Sequence, residues 1–398
     1  MKYLIIIANG LTDDPIAEKN NLTPLQIAET PNLDRLATEG RCGSTGTIPE
    51  GLVPGNDISF LSLLGYDPIK YKAGAASFDI LSAGISLEPG EIPLCCDFVS
   101  LQSGHNDMVM KDYTGGQLSK NDSEDLLKAL QEQVFDAKVR FHSLGGYHNV
   151  ATIQELSLSE RLNPPDELIG EGIRDYMPAG KEAKSLVFVL NQAQIILHNH
   201  PLSKKLKETE KDPVNSIWFW GNGPLPKLPP FEEKYTFEAS VVSASSLFQG
   251  MAKAAGMNFI SQGTGFMDTD YQAKAETALD ELKTKDVVYL QVSAPERASM
   301  QGSVDDKILA IEDFDKKVLG PIMEALTENK ELTALLTVNH FCSANQMKYG
   351  RDPVPFAVYP SRSGPDAIEA FDEQILSSET LQFESGPGLI SALFKGEL

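Results

Sequence analysis

The stretch Val53-Pro-Gly-Asn-Asp57 leads into an apolar run, Ile58 to Leu64, that ends in Gly-Tyr-Asp-Pro68. A glycine turn feeding a helix start leaves backbone N–H groups without partners and turns the positive end of the helix dipole outward, so this is a place to hold an anion. Asn56 at that start suits a helix N-cap. Acid and base groups that could act without a metal are Asp13, Asp57, Lys274, Glu296, Arg297 and His340. Asn9 and Asn339 lie at the ends of strand-like runs, where turn asparagines usually hydrogen-bond rather than ligate. One imidazole, His340, without carboxylates around it reads as a hydrogen-bonded side chain. Cys42, Cys95, Cys96 and Cys342 show no metal-type spacing, and adjacent Cys95 and Cys96 are poorly placed to pair, so reduced thiols are expected.

These groups need a scaffold. Tyr3 to Ala8, Asp286 to Ser293 and Leu332 to Val338 are apolar runs of buried-strand type, each followed by helix-competent sequence. Between the last two, Ile308, Ile311, Val318, Leu319 and Ile322 recur at near-helical spacing across Asp305 to Leu326. The alternation predicts an α/β fold, a mostly parallel sheet with helices on both faces and ligands outside the carboxyl ends of its strands. Asn9, Ser293 and Asn339 sit at such ends. The middle has another texture: a polar helix Asp122 to Gln133, short strands around Val139 to His142 and Asn149 to Ile153, and a turn at Asn163-Pro-Pro-Asp166. Ile217-Trp-Phe-Trp220 alternates as a fully buried strand does. The expected organisation is one α/β domain over 1–75 and 215–398, with 76–214 inserted as a smaller α+β domain and crossings near Gly74 and Asn215.

Composition limits the partners. With 398 residues and 41% hydrophobic content the chain can build two cores. No apolar run approaches the roughly 20 residues of a membrane span, and no secretory leader opens the sequence, so a cytoplasmic protein is expected. A charge of 34 − 56 = −22 disfavours nucleic acid and anionic membranes, while leaving room for a small anionic ligand in a locally basic pocket. Oligomeric state is not readable.

Several phrases follow one another along the chain: Met1-Lys-Tyr-Leu-Ile-Ile-Ile-Ala-Asn-Gly10, Thr23-Pro-Leu, Thr30-Pro-Asn-Leu-Asp-Arg-Leu36, Leu63-Leu-Gly-Tyr-Asp-Pro68, Ile217-Trp-Phe-Trp-Gly-Asn-Gly223, Gly263-Thr-Gly265, Asp352-Pro-Val-Pro-Phe356 and Phe371-Asp-Glu373. In these the chain resembles, over nearly its whole length, the archaeal-type 2,3-bisphosphoglycerate-independent phosphoglycerate mutases of the alkaline phosphatase superfamily. The resemblance implies an alkaline-phosphatase-like fold and glycolytic interconversion of 2- and 3-phosphoglycerate. It also implies a serine nucleophile and two divalent metals (Mn, Mg, Co or Zn) that activate it.

At the positions that would carry this chemistry the residues differ. Asn56 stands where the family has its serine and has no hydroxyl to phosphorylate; Asp57 and Lys274 are kept and are the groups most worth testing. Of the metal positions, Asn9 and Asn339 replace aspartates, Glu296 replaces an aspartate, and Met300 and Tyr349 replace histidines; His340 alone is retained. A thioether does not suit magnesium or manganese, and Arg297 adds positive charge nearby. Arginines that would grip phosphate are missing from Ala73-Gly-Ala-Ala76, Cys95-Cys-Asp97 and Tyr147-His-Asn149. His198 and His200 precede Pro201, and because the family does not use the second as a ligand, a structural role is expected. The resulting expectation is a family member with no metal cofactor, its catalysis lost, that binds a small anionic or phosphorylated metabolite or regulates another protein. The alternatives are an active mutase with rearranged ligands and a metal-independent enzyme with new chemistry.

Overall fold

The computed structural model describes residues 2–398 except 72, 117, 136, 137, 155, 157–161, 181, 182, 209–211 and 379. The chain divides into two compact units, Met1–Tyr71 with Lys227–Leu398, and Lys72–Pro226.

The first unit is built on an eight-stranded sheet. In chain order its strands are β1 (Lys2–Ala8), β2 (Arg41–Thr45), β8 (Ala239–Ser243), β9 (Asn258–Ser261), β10 (Val287–Val292), β11 (Leu332–Thr337), β14 (Val354–Tyr359) and β15 (Leu381–Phe383), with β3 to β7 lying in the other unit and β12 (Cys342–Ser343) pairing with β13 (Lys348–Tyr349) in a separate hairpin. Spatial order is β15-β2-β14-β11-β1-β10-β8-β9, parallel except where β14 meets β11 and β2. The three apolar runs read as strands are thus β1, β10 and β11, which lie side by side. Leu4, Ile6, Leu290 and Leu336 on one face pack with Phe314, Val318 and Ile322 from the long helical segment. Continuous apolar runs suit a sheet covered on both faces.

The run Asp305 to Leu326 is helical throughout, with a feature that its spacing did not signal. Helices Val304–Phe314 and Gly320–Glu328 are joined by a π-helical turn, Asp315–Leu319. There the buried Asp315 carboxylate accepts from Leu33 N at 2.7 Å and Asn32 N at 3.2 Å, satisfying free amides at the start of helix Pro31–Glu39. Burial raises the Asp315 pKa against these hydrogen bonds.

The second unit is α+β. Its strands β3 (Glu91–Ser103), β4 (Met108–Asp112), β5 (Val139–Ser143), β6 (Asn149–Gln154) and β7 (Ser216–Trp220) form an antiparallel sheet in which β3 pairs with β4, β6 and β7. The sequence reading placed residues from 215 onward in the outer domain. The structure puts Ser216–Trp220 here instead, because Cys95 to Val99 of β3 is its ladder partner. Along β3 the side chains alternate: Leu94, Cys96 and Phe98 join the core with Leu126, Leu130, Leu186 and Leu197 of the covering helices, leaving Cys95 and Asp97 on the opposite face.

No helix among the described residues is long and apolar enough to cross a membrane.

Candidate functional site

Three neighbouring strands of the first unit deliver one polar cluster at their carboxyl ends. Asn9 follows β1, Asn339 follows β11, and Glu296 lies in helix Ala294–Met300, just after β10. Asn56 opens helix Asn56–Leu63. Gly10 (φ 70°) makes this convergence possible, since a Cβ there would lie 2.6 Å from Glu296 Cα. Its N–H donates to Asn339 Oδ1 at 3.1 Å, and Glu296 N donates to Asn9 O at 3.1 Å.

Glu296 is the hub. Its Oε2 accepts from Asn9 Nδ2 at 2.7 Å and Asn339 Nδ2 at 2.9 Å; its Oε1 accepts from Asn56 Nδ2 at 2.8 Å and Tyr349 Oη at 3.0 Å. A carboxylate has about four lone-pair sites, and here four donors meet them. The amides are also linked to one another: Asn339 Nδ2 donates to Asn56 Oδ1 at 2.8 Å, and Asn9 Nδ2 does so at 3.4 Å. Asn56 therefore does not act as the N-cap its position suggested. Gly55 holds that place, and the Asn56 side chain is turned into the network.

The remaining expected residues fall in different environments. His340 is fully buried; its Nδ1 lies 3.1 Å from Phe341 O, and its ring packs against Tyr349 at 4.3 Å between centroids. Burial lowers its pKa against the pull of Glu296 and Asp57, which keeps the imidazole neutral. His340 Nε2 and Asn9 Oδ1 are buried acceptors without a hydrogen-bond partner. The Met300 sulfur accepts a weak hydrogen bond from the Cys342 thiol at 3.9 Å. Arg297 lies over the Phe266 ring at 5.3 Å. Asp57 is buried in helix Asn56–Leu63. Lys274 is 1% exposed and donates to Gln291 O at 3.3 Å; burial pushes its pKa down to about 8. Asp13 is committed elsewhere, in a buried pair with Lys307 at 2.8 Å, where the ammonium also reaches Thr12 O at 3.0 Å and Cys342 O at 2.9 Å.

Residues 37–203 match the sequence profile of the family described as 2,3-bisphosphoglycerate-independent phosphoglycerate mutase. The chain is 36% identical over 402 residues to the enzyme so named in Methanosarcina barkeri, covering all of both chains. It belongs to that family. The Methanosarcina acetivorans enzyme of the same name is 34% identical, covering 99% of this chain and 100% of its own. Among solved structures, the PH0037 protein from Pyrococcus horikoshii matches with a TM-score of 0.75 at 26% identity, covering 99% of this chain and 96% of its own. The cofactor-independent phosphoglycerate mutase from Thermoplasma acidophilum shares the fold, with a TM-score of 0.58 at 24% identity and 99% coverage of both chains.

One constellation in the second unit escaped the sequence reading. His148 Nδ1 lies 2.6 Å from Asp97 Oδ1 and its Nε2 3.0 Å from Asp79 Oδ2; Cys95 Sγ lies 3.5 Å from that same Asp79 oxygen. Burial would lower the His148 pKa, but Asp97 and Asp79 together hold it well above its ordinary value. Asp79 is 16 residues from Cys95 and 69 from His148, so no compact motif advertises the group. The one local signal was Cys95 and Asp97, two apart on one strand face.

Proposed function

We propose that this chain is a mutase-family protein that binds a small anionic or phosphorylated metabolite without transferring its phosphoryl group. The observation that carries the reading is the saturation of Glu296 by Asn9, Asn56, Asn339 and Tyr349. Two divalent cations about 4 Å apart need several carboxylates to offset their repulsion, and the residues present do not fit such a pair. Three of them are neutral amides directing N–H groups inward, Tyr349 donates, Met300 is a thioether packed on Cys342, and the lone pairs of Glu296 are used by the chain. Without a hydroxyl at position 56 there is no phosphoenzyme. Relatives named phosphoglycerate mutases support a phosphorylated three-carbon acid as the first ligand to test.

A second reading, an active mutase with rearranged ligands, is favoured by the full-length identity to those relatives and by the two unpartnered acceptors, His340 Nε2 and Asn9 Oδ1. Metal-independent chemistry is favoured by Lys274, whose lowered pKa of about 8 suits a base. The deciding experiment is calorimetric titration of chelator-treated protein with manganese, beside a mutase assay with manganese, magnesium, cobalt or zinc. We expect no pair of micromolar sites and no turnover, and Asn56→Ser alone should remain inactive. Two such sites, or turnover abolished by Asn56→Ala, would establish the active mutase instead.

A further inference from the structure

We infer that Asp79, Cys95 and His148 form a binding site for one zinc ion within the second unit. The three donor atoms lie within 4.8 Å of one another. A tetrahedral zinc, about 2.0 Å from oxygen and nitrogen and about 2.3 Å from sulfur, spaces its ligand atoms roughly 3.3–3.5 Å apart. Two of the separations found, 3.0 Å from His148 Nε2 to Asp79 Oδ2 and 3.5 Å from Cys95 Sγ to the same oxygen, are close to those values.

The surroundings are those a zinc-ligating histidine uses. The second ring nitrogen of His148 is held by Asp97 at 2.6 Å, and Asp97 in turn accepts from Trp220 Nε1 at 2.9 Å. A carboxylate behind the imidazole fixes the ring and directs Nε2, which now hydrogen-bonds Asp79, toward the place a metal would take. Asp79 and Cys95 are buried, while the His148 side chain is 25% exposed, so the ion would enter from the histidine side. Gly221 (φ 68°) packs directly against the cysteine, and any side chain there would displace the sulfur, because a Cβ would lie 2.7 Å from Cys95 Sγ.

The donor set selects the metal. Thiolate, imidazole and carboxylate together favour zinc over magnesium or calcium, which prefer oxygen alone. On binding, the Cys95 thiol proton and the His148 Nε2 proton both leave to solvent, and the ion bonds to the thiolate and to the freed Nε2 lone pair. Two of the segments lacking phosphate-gripping arginines, Cys95-Cys-Asp97 and Tyr147-His-Asn149, supply three of the side chains involved. A pocket of two carboxylates, a thiol and an imidazole attracts a cation, not a phosphate.

The test uses untagged, chelator-treated full-length protein. Equilibrium dialysis should show one zinc per chain, and cobalt in its place should give a sulfur-to-cobalt charge-transfer band. Cys95→Ser should abolish that band, Cys95→Ser and His148→Gln should each weaken zinc binding by at least about 100-fold, and Asp97→Asn by about 10- to 100-fold. Melting curves of each variant without metal check that folding is retained. Should a variant fail to fold, the wild-type cobalt band still decides whether a thiolate is a ligand. Absence of zinc binding at micromolar concentration by folded wild-type protein would overturn the inference. So would binding undiminished by both ligand variants, or a cobalt complex without the sulfur band.

Discussion

A single carboxylate, Glu296, organises the polar cluster, and all four of its donors are neutral. Asn9, Asn56, Asn339 and Tyr349 could be named from the resemblance to the family's motifs; that all four donate to one group could not, because hydrogen-bond direction depends on where the backbone delivers each amide. The N-cap expectation for Asn56 failed for that reason: Glu296 competes for the side chain more strongly than its own helix does. Lys274 allows a prediction at this scale. Burial lowers its folded pKa to about 8 from an ordinary 10.5, so between those values the unfolded chain holds a proton that the folded chain does not. Stability attributable to Lys274 is therefore fully present above pH 10.5 and is lost as pH falls toward 8. Compared with Lys274→Met, the wild type should lose about 3 kcal/mol over that window and change little below it, as read from paired urea unfolding curves at several pH values.

At the scale of elements, the turn after β1 carries the tightest constraint. Gly10 combines a left-handed backbone with a 2.6 Å approach to Glu296 Cα, and backbone atoms cannot yield as a side-chain tip can. Gly10→Ala should cost about 3 kcal/mol or more, checked by denaturant unfolding; a loss under 1 kcal/mol would mean that the turn relaxes readily. Strands β1, β10 and β11 were readable because doubly covered parallel strands are apolar without interruption. The π turn at Asp315 was not, since one extra residue within a helix leaves an apolar period almost unchanged, and its cause lies far off in sequence at Asn32 and Leu33. The Asp79, Cys95 and His148 group was hidden for the same reason, assembled across a helix, a strand and a loop.

For the whole molecule, the sequence conveyed an α/β sheet interrupted by a separate α+β insert, but not where the insert ends. Strand Ser216–Trp220 carries a family phrase and looked like outer-domain scaffold, yet its alternating aromatics serve the β3 ladder. Each unit has its own apolar core, so we expect each to fold independently. Calorimetry should resolve two transitions, and a fragment spanning Lys72–Pro226 should melt cooperatively by itself; one transition with equal calorimetric and van't Hoff enthalpies, or an unfolded fragment, would count against this.

Lys307 gives the outer unit something that proteins often obtain from solution. Its ammonium, fully buried, gathers Asp13, the Thr12 carbonyl and the Cys342 carbonyl from chain segments up to 295 residues away from it. That is the task of a structural cation, carried out by one on a covalent leash. Such a fastener cannot be stripped by a chelator, exchanged for a competing ion or diluted away, so the loops it ties keep their arrangement whatever the ionic composition of the surroundings.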